Sequence, residues 1–312
     1  MKDASTSVKQ LKNILITSIT PIIWGTTYIV TTELLPEDRP LIASVIRVLP
    51  AGILLTLIGR QLPTSSHGQH ILLKILILSA LNIALFQACL FIGAYRLPGG
   101  IAAVIGSIQP LIIMLLFITI DGKRINLIAM IAMLTSIVGM GMLFITDTSF
   151  LASLDMTGVI GSFLGAVSMA SGIYLTKKWK SSFQGVNNLT FTGWQLLFGG
   201  LMLLPFMIML EPLPTELTGM NIIGYTYLTI FGALLAYVLW FRGIEKVNPV
   251  SVSMLGALSP ITATIIGWAC LGESLSVLQM LGFMMVMISV IIIQIQGGYK
   301  SKCSFKYSNQ SN

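Results

Sequence analysis

The stretch GAYRLPGGIAAVIGSIQP at Gly93–Pro110 has a counterpart, GIEKVNPVSVSMLGALSP at Gly243–Pro260, at a constant shift along the chain. The same register aligns four pairs of helix-shaping residues: Gly93 with Gly243, Gly106 with Gly256, Pro110 with Pro260, and Gly122 with Gly272. No single identity is persuasive, because Gly and Pro are common in membrane helices. The gapless register indicates that the chain consists of two related halves.

Both halves are built from long apolar segments separated by short polar breaks. Most are about 20 residues or longer, and a helix of that length crosses the roughly 30 Å hydrocarbon core of a bilayer. We number the ten segments from one to ten: Asn13–Thr32, Pro40–Gly59, Ile71–Tyr95, Gly99–Ile120, Ile125–Thr146, Met156–Thr176, Val186–Leu210, Met220–Phe241, Asn248–Leu271 and Leu275–Gln296.

The positive charges indicate which loops face the cytoplasm. With a cytoplasmic N-terminus, the inner side receives Lys2, Lys9, Lys12, Arg60, Lys74, Lys123, Arg124, Lys177, Lys178, Lys180, Arg242, Lys246, Lys300, Lys302 and Lys306. The outer side receives only Arg39 and Arg96, and Arg47 lies within segment two. By the positive-inside rule, this distribution predicts an all-α membrane protein of ten transmembrane helices with both termini cytoplasmic.

Each half contains an odd number of segments, so the second half enters the membrane from the opposite side. The sequence therefore predicts two inverted five-helix repeats, an architecture typical of secondary transporters. The turn DGKR at Asp121–Arg124 and its counterpart LGES at Leu271–Ser274 keep the glycine and reverse the charge, as expected for loops on opposite sides. The predicted organisation is a cytoplasmic tail (1–12), a first repeat (13–146), an outer linker (147–155), a second repeat (156–296) and a basic cytoplasmic tail (297–312).

Composition excludes several other classes of protein. Charged residues make up 9% of the chain, against about 25% in soluble domains, and the mean hydropathy is +0.89. The net charge of +7 reflects the inner loops, so we expect the bilayer and no nucleic acid as a partner. We expect no cofactor, metal site or disulfide framework from the three cysteines, and no catalytic set of an enzyme; His67 and His70 lie in a polar loop.

The arrangement of these features resembles a known family. The five-plus-five organisation, PIIWGTTY at Pro21–Tyr28, Arg47, the two G-x-x-x-P helices and the LGES turn are similar to the EamA family of the drug/metabolite transporter superfamily. The resemblance covers the chain outside its tails, and this sequence has Gly122-Lys123 where the first half often shows Gly-Glu. It implies a bacterial inner-membrane protein that transports solutes, commonly exporting amino acids or related metabolites.

Three prolines predict bends that help to form a transport pathway. Pro110 and Pro260 cannot donate to the carbonyls of Gly106 and Gly256, so segments four and nine are candidates for cavity lining and for hinges. The alternative is that the small residues in these segments only allow close helix packing. Pro21 likewise frees a carbonyl within segment one.

Polar and aromatic side chains within the segments are the candidate solute-binding groups. In segment one these are Trp24, Thr26 and Thr27; the indole needs a partner or a ligand, and the hydroxyls can instead bond their own helix. The amides Asn82, Gln87 and Gln109 either join helices or bind solute, as does Gln195. In the 150-residue register, the rings of segment eight, Tyr237 and Trp240, align with Gln87 and Leu90 of segment three.

Arg47 is the one ionisable group deep within a segment by this count. A charge inside the membrane is costly and indicates function. We consider contact with a substrate carboxylate, bonding to backbone carbonyls, and snorkelling towards the outer surface as alternatives.

The sequence therefore favours a secondary transporter of small neutral or zwitterionic metabolites, such as amino acids. The alternatives are a lipid or lipid-linked precursor translocator, or a non-transporting receptor or assembly factor. No Asp or Glu lies in mid-segment, which disfavours a proton-coupled exporter of cationic drugs. The Met-rich segments five and ten are predicted to lie at the periphery, facing lipid or forming a homodimer, and not to line a cavity.

Overall fold

All regular structure in the described part of the chain is helical. The computed structural model describes residues 2–61, 70–97, 101–122, 127–144, 155–214, 216–271 and 276–308. Seven helical stretches are long and apolar enough to cross a membrane: Gln10–Leu34, Pro40–Gly59, Ile71–Arg96, Met156–Lys178, Asn188–Leu210, Gly219–Lys246 and Val277–Gln296. These correspond to segments one, two, three, six, seven, eight and ten.

The three remaining segments form shorter helices. Segment four consists of Ile101–Gly106 and Gln109–Thr119, and segment nine of Pro249–Leu255 and Leu258–Leu271. Segment five is the helix Leu127–Phe144. The count of ten transmembrane helices, their inverted arrangement and the cytoplasmic termini therefore stay predictions.

The outermost helices are longer than predicted, and several loop predictions lie outside the described residues. The first helix is Lys2–Leu34 and the last is Val277–Ser308. The undescribed positions include His67, residues 147–154 of the predicted outer linker, and residues 272–274 of the LGES turn. Gly122 of the DGKR turn is described and has a φ of +61°. This left-handed conformation explains why the DGKR turn contains a glycine.

Positively charged residues assigned to the inner side gather at one end of the helix bundle, here called the basic end. There the Lys74 ammonium donates to the Ser182 hydroxyl at 2.7 Å, and Lys178 pairs with Asp121 at 3.2 Å. Assignment of this end to the cytoplasm rests on the positive-inside rule.

The opposite end, here called the acidic end, is held by two carboxylates. The Glu211 carboxylate accepts from the backbone N–H groups of Leu41 and Ile42 at 2.7 and 2.8 Å, at the start of the second helix. Arg96 pairs with Asp155 at 2.8 Å, and this bond lowers the pKa of the Asp155 carboxyl below its usual value. The small stabilisation from this exposed pair is present above the ordinary carboxyl pKa and is lost as pH falls through the lowered one.

The two halves meet where segments two and seven cross. A side chain on Gly52 would collide with the Leu197 backbone, and a Cβ on Gly200 would lie 2.9 Å from the Leu49 Cβ. Upstream of the 150-residue register, a slightly different shift of 148 residues pairs Gly52 with Gly200 and Leu49 with Leu197. Each half therefore contributes the glycine of one close contact and the leucine of the other.

Segments three and eight each contain a turn of π-helix, at Ala80–Leu85 and Leu228–Leu235. The 150-residue register, in which Gly93 aligns with Gly243, places these turns at matching positions. A π turn replaces the i→i+4 hydrogen bonds of the α-helix with i→i+5 hydrogen bonds and leaves backbone carbonyls available to other partners. Side chains from neighbouring helices bond to these carbonyls, as described below.

Candidate functional site

A cavity of about 140 Å³, here called the central cavity, lies among helices from both halves of the chain. Its described lining comes from segments one to six, eight and nine, and it is mostly apolar. The volume is comparable with the roughly 150 Å³ that accommodates one benzene ring in an engineered protein cavity. The cavity is therefore large enough for a small metabolite.

Nine of the residues singled out in the sequence line this cavity. Five come from the predicted binding set and four from the predicted hinges: Trp24, Thr27, Arg47, Gln109 and Trp240, with Gly106, Pro110, Gly256 and Pro260. The predicted residues outside the lining are Pro21, Thr26, Asn82, Gln87, Gln195 and Tyr237.

Trp24 and Arg47 share one backbone acceptor. The Trp24 indole N–H and the Arg47 guanidinium each donate to the carbonyl of Gly232, both at 3.0 Å. Gly232 lies within the π turn of segment eight, and one turn away the Thr20 hydroxyl donates to the Ala236 carbonyl at 3.0 Å. Segments one and two are thus hydrogen-bonded to the irregular part of segment eight.

Arg47 is 2% exposed and does not snorkel to the surface. Its guanidinium lies 5.9 Å from the centre of the Phe91 ring and also reaches the cavity wall. Backbone bonding, one of the alternatives considered for this residue, is therefore present. Arg47 is also the one charged side chain in the described cavity lining.

Aromatic rings form one wall of the cavity. Trp24 lies 5.0 Å from Trp240 and 5.3 Å from Tyr237, measured between ring centres. Tyr237 is fully buried behind the two indoles and does not reach the cavity. The wall presents two flat apolar faces to a solute, and such faces favour contact with an apolar or aromatic group.

Three polar atoms of buried, uncharged lining residues have no hydrogen-bond partner among the described residues. They are the Thr27 and Ser162 hydroxyl oxygens and the Trp240 indole nitrogen. Leaving a buried donor or acceptor unsatisfied costs roughly 1–3 kcal/mol. These atoms are accordingly the best-placed groups in the cavity to bind a polar solute.

The amides of segment three lie away from the cavity. The Asn82 amide donates to the Gln195 side-chain oxygen at 2.8 Å and to the Thr176 hydroxyl at 3.2 Å, joining segments three, seven and six. Gln87 is fully buried, and neither of its side-chain polar atoms has a partner among the described residues. Asn82 therefore joins helices in this conformation.

Thr26 faces segment eight and not the cavity. Its hydroxyl lies 2.5 Å from the Tyr227 hydroxyl and donates to the Ile23 carbonyl at 2.7 Å. Pro21 lies inside the continuous first helix and does not interrupt it.

The predicted interruptions of segments four and nine are present, just before their prolines. The helix of segment four stops at Gly106 and that of segment nine at Leu255. The Gly256 carbonyl accepts from the Ser259 N–H at 3.0 Å, so a neighbouring N–H replaces the donor that proline lacks. A Cβ on Gly106 would meet nothing within 4 Å, so close packing does not explain this glycine.

We expect Gly106→Val to reduce transport while leaving the fold intact. Valine has room at this position, so the free energy of unfolding should change by less than about 1 kcal/mol. Its side chain would occupy part of the cavity. A change of this size in an apolar pocket alters the preference for a solute roughly tenfold, so we expect exchange of the transported solute to fall by about that factor. Solute exchange by reconstituted protein and thermal unfolding in detergent measure the two effects.

Gly219→Val is the matched control, because Gly219 also has open space around its Cβ position but lies off the cavity. It should change neither measurement. Full exchange by the Gly106 variant would show that this part of the cavity is not used.

The cavity also contains residues that the sequence did not single out. Ser136 and Met140 of segment five line it and are buried, so the prediction that segment five does not contribute was wrong for this face. The opposite face of segment five is exposed, as at Leu127. Ser162 belongs to a small-residue stripe with Gly158, and that pattern, already noted in segments four and nine, was the missed signal.

Among the described residues, no group of three His, Cys, Asp or Glu side chains is placed to hold a metal ion. The cavity chemistry in the described region is that of aromatic rings, hydroxyls, one amide and one guanidinium. Such groups bind and orient a solute.

The chain is similar to several known proteins. It is 45% identical over 274 residues to Protein PecM of Dickeya dadantii, covering 88% of this chain and 89% of that protein. It is 28% identical to a WAT1-related chloroplast protein of Arabidopsis thaliana, covering 88% and 67%. The uncharacterized inner membrane transporter YicL of Salmonella typhimurium is 23% identical, with 95% and 98% covered.

The fold is also found in a solved crystal structure. That protein aligns with a TM-score of 0.73 at 14% identity, over 92% of this chain and 97% of its own. At this identity the likeness is one of fold alone.

The model of the EamA-like transporter family matches this sequence twice, over residues 11–145 and 156–295. Relatives that are inner membrane transporters, together with the seven apolar helices, identify a multi-pass inner-membrane protein that is a transporter and not an enzyme. The chain belongs to the EamA-like transporter family.

Proposed function

We propose that this transporter moves small neutral or zwitterionic metabolites, such as amino acids, by alternating access between two inverted five-helix halves. The observation that carries the proposal is the central cavity, which has aromatic walls, unsatisfied neutral polar atoms and one charged side chain in its described lining, Arg47.

The charges of the cavity favour this class of solute. No Asp or Glu is present in the described lining, so a cationic solute would have no carboxylate to replace its water. A zwitterion can direct its carboxylate to the Arg47 guanidinium and its ammonium to the hydroxyl oxygens of Thr27 and Ser162. Its apolar part would then contact the ring faces of Trp24 and Trp240.

Matched irregularities in the two halves support movement by alternating access. The π turns in segments three and eight, and the interruptions in segments four and nine, lie at corresponding positions. The Arg47–Gly232 bond also has a counterpart, because the 148-residue shift pairs Arg47 with Gln195, the 150-residue register pairs Gly232 with Asn82, and Asn82 bonds to Gln195. In transporters with inverted repeats, interrupted helices of this kind typically form the substrate site, and one repeat rocks against the other around it.

Counterflow in proteoliposomes tests the proposal. Vesicles loaded with a mixture of unlabelled amino acids should take up at least one labelled amino acid from the outside, whereas empty liposomes should not. Labelled cationic compounds should give no uptake. The absence of counterflow for every neutral and zwitterionic solute, with protein that is folded and inserted, would contradict the proposal.

We expect Trp240→Phe to reduce this exchange about tenfold, which corresponds to the loss of roughly 1.4 kcal/mol. Phenylalanine keeps an aromatic ring at the cavity wall but removes the unsatisfied N–H. Trp194→Phe is the matched control, because Trp194 is equally buried but donates to the Gln61 carbonyl away from the cavity. Equal exchange by the two variants would exclude the Trp240 N–H as a binding group.

A further inference from the structure

A second cavity, smaller than the central one, lies at the basic end. It is about 60 Å³ in volume and its wall combines three phenylalanine rings with charged and polar groups: Phe183, Phe191, Phe241, Lys177, Lys180, Asn188 and Glu245. The rest of the described lining is Thr176 and Val186.

A continuous row of aromatic rings connects this cavity to the central one. Phe183 contacts Phe191 at 4.9 Å, and Phe191 contacts Phe241 at 5.8 Å, between ring centres. Phe241 stacks on Tyr237 at 5.8 Å, and Tyr237 contacts Trp24 of the central cavity at 5.3 Å. The row begins in the second cavity and ends in the first.

Tyr237 is the partition between the two cavities. It lines neither of them, it is fully buried, and its ring touches a lining ring on each side. Its hydroxyl has no hydrogen-bond partner among the described residues. A buried unsatisfied hydroxyl is costly, and this one belongs to the ring that lies between the lining rings of the two cavities.

We propose that the second cavity is a solute-binding site at the basic end of the transport path, and that Tyr237 closes the path between it and the central cavity. This inference rests on the proposed function and adds a second binding site, with a named barrier. The ligand is a zwitterion with a small apolar side chain, because a cavity of about 60 Å³ has less than half of the roughly 150 Å³ that accommodates a benzene ring.

The charges around the second cavity match that ligand. Lys180 and Glu245 form a half-exposed pair at 3.5 Å, so both signs of charge lie at the cavity wall. An exposed pair of this kind is weak, typically below about 1 kcal/mol. A zwitterion can therefore insert between the two groups at small cost, with its carboxylate at Lys180, its ammonium at Glu245, and its side chain against Phe191.

Thiol labelling tests the barrier without requiring transport. In a variant whose cysteines at positions 89, 270 and 303 are replaced by alanine, Thr27→Cys places a reporter in the central cavity. A membrane-impermeant, positively charged methanethiosulfonate is added from the side of the basic end. Adding Tyr237→Ala should raise the labelling rate from that side at least about tenfold, because it removes the partition.

Tyr225→Ala is the matched control: Tyr225 is a buried tyrosine of the same segment whose hydroxyl also has no partner among the described residues. It packs near the acidic end against Val30 and Leu41, away from the row of rings, and should leave the labelling rate unchanged. Tyr237→Leu replaces the alanine variant if the latter does not fold. An unchanged rate in a folded Tyr237 variant would overturn the barrier.

A second reporter tests the binding site itself. Asn188→Cys lies in the second cavity, and excess L-alanine, used as the probe, should slow its labelling. Lys246→Cys, exposed at the same end outside the cavity, should be labelled at the same rate with or without the probe. Equal labelling of Asn188→Cys with and without L-alanine and a panel of other small zwitterionic amino acids would overturn the site. Failure of counterflow with both labelling results intact would instead count against the proposed function.

Discussion

Gly52→Val should prevent stable folding of the transporter. Any side chain at Gly52 would collide with the Leu197 backbone, where the two halves cross. A helix backbone cannot move aside as a flexible side chain can, so segments two and seven would have to separate. Overpacking typically costs 1–3 kcal/mol and occasionally more; because the clash is with backbone, we expect about 3 kcal/mol or more. Thermal unfolding and size-exclusion profiles in detergent measure the effect.

Two further variants make this test specific. Gly106→Val carries the same substitution at a position with open space and should remain folded. Leu197→Ala should not rescue Gly52→Val, because truncating the Leu197 side chain leaves its backbone in place. A monodisperse Gly52→Val protein with an unchanged unfolding temperature would show that the helices are less closely packed than described.

Much of the helical architecture could be predicted from hydrophobic length. Segment two was predicted as Pro40–Gly59 and has those bounds, because proline can start a helix and the polar break at Arg60 ends it. The interruptions before Pro110 and Pro260 also followed from the chemistry of proline. The π turns could not be predicted in this way, since Ala80–Leu85 contains neither proline nor glycine and its irregularity depends on neighbouring helices.

The candidate site was predictable by residue type but not by helix face. Trp24 and Gln109 reach the cavity, whereas Asn82 bonds to Gln195 between helices. A polar side chain within a membrane segment gains as much from an interhelical bond as from a ligand, so its type alone does not distinguish the two roles. Ser162 was overlooked because a single serine is common in membrane helices, and only the glycines around it mark the close-packed face.

Arg47→Met should abolish most transport of zwitterionic solutes without unfolding the protein. Replacing a buried charge with an apolar group of similar volume is often neutral or stabilising. The Gly232 carbonyl also keeps its bond from the Trp24 indole, so this buried acceptor is not left without a donor. Loss of a charged hydrogen bond to solute costs roughly 1.5–3 kcal/mol, which corresponds to a decrease in exchange of about tenfold to a hundredfold.

The solute dependence of this loss separates a binding role for Arg47 from a structural one. If the guanidinium binds the solute carboxylate, exchange of an amino acid falls strongly in Arg47→Met, while exchange of the same compound with a carboxamide falls much less. Arg47→Lys should retain part of the amino acid exchange, since it keeps the charge but not the planar fork that matches a carboxylate. If Arg47 only fixes the π turn of segment eight through Gly232, both solutes lose exchange equally. That equal loss would remove the carboxylate contact from the proposed mechanism and leave the cavity to select its solute by its rings and hydroxyls.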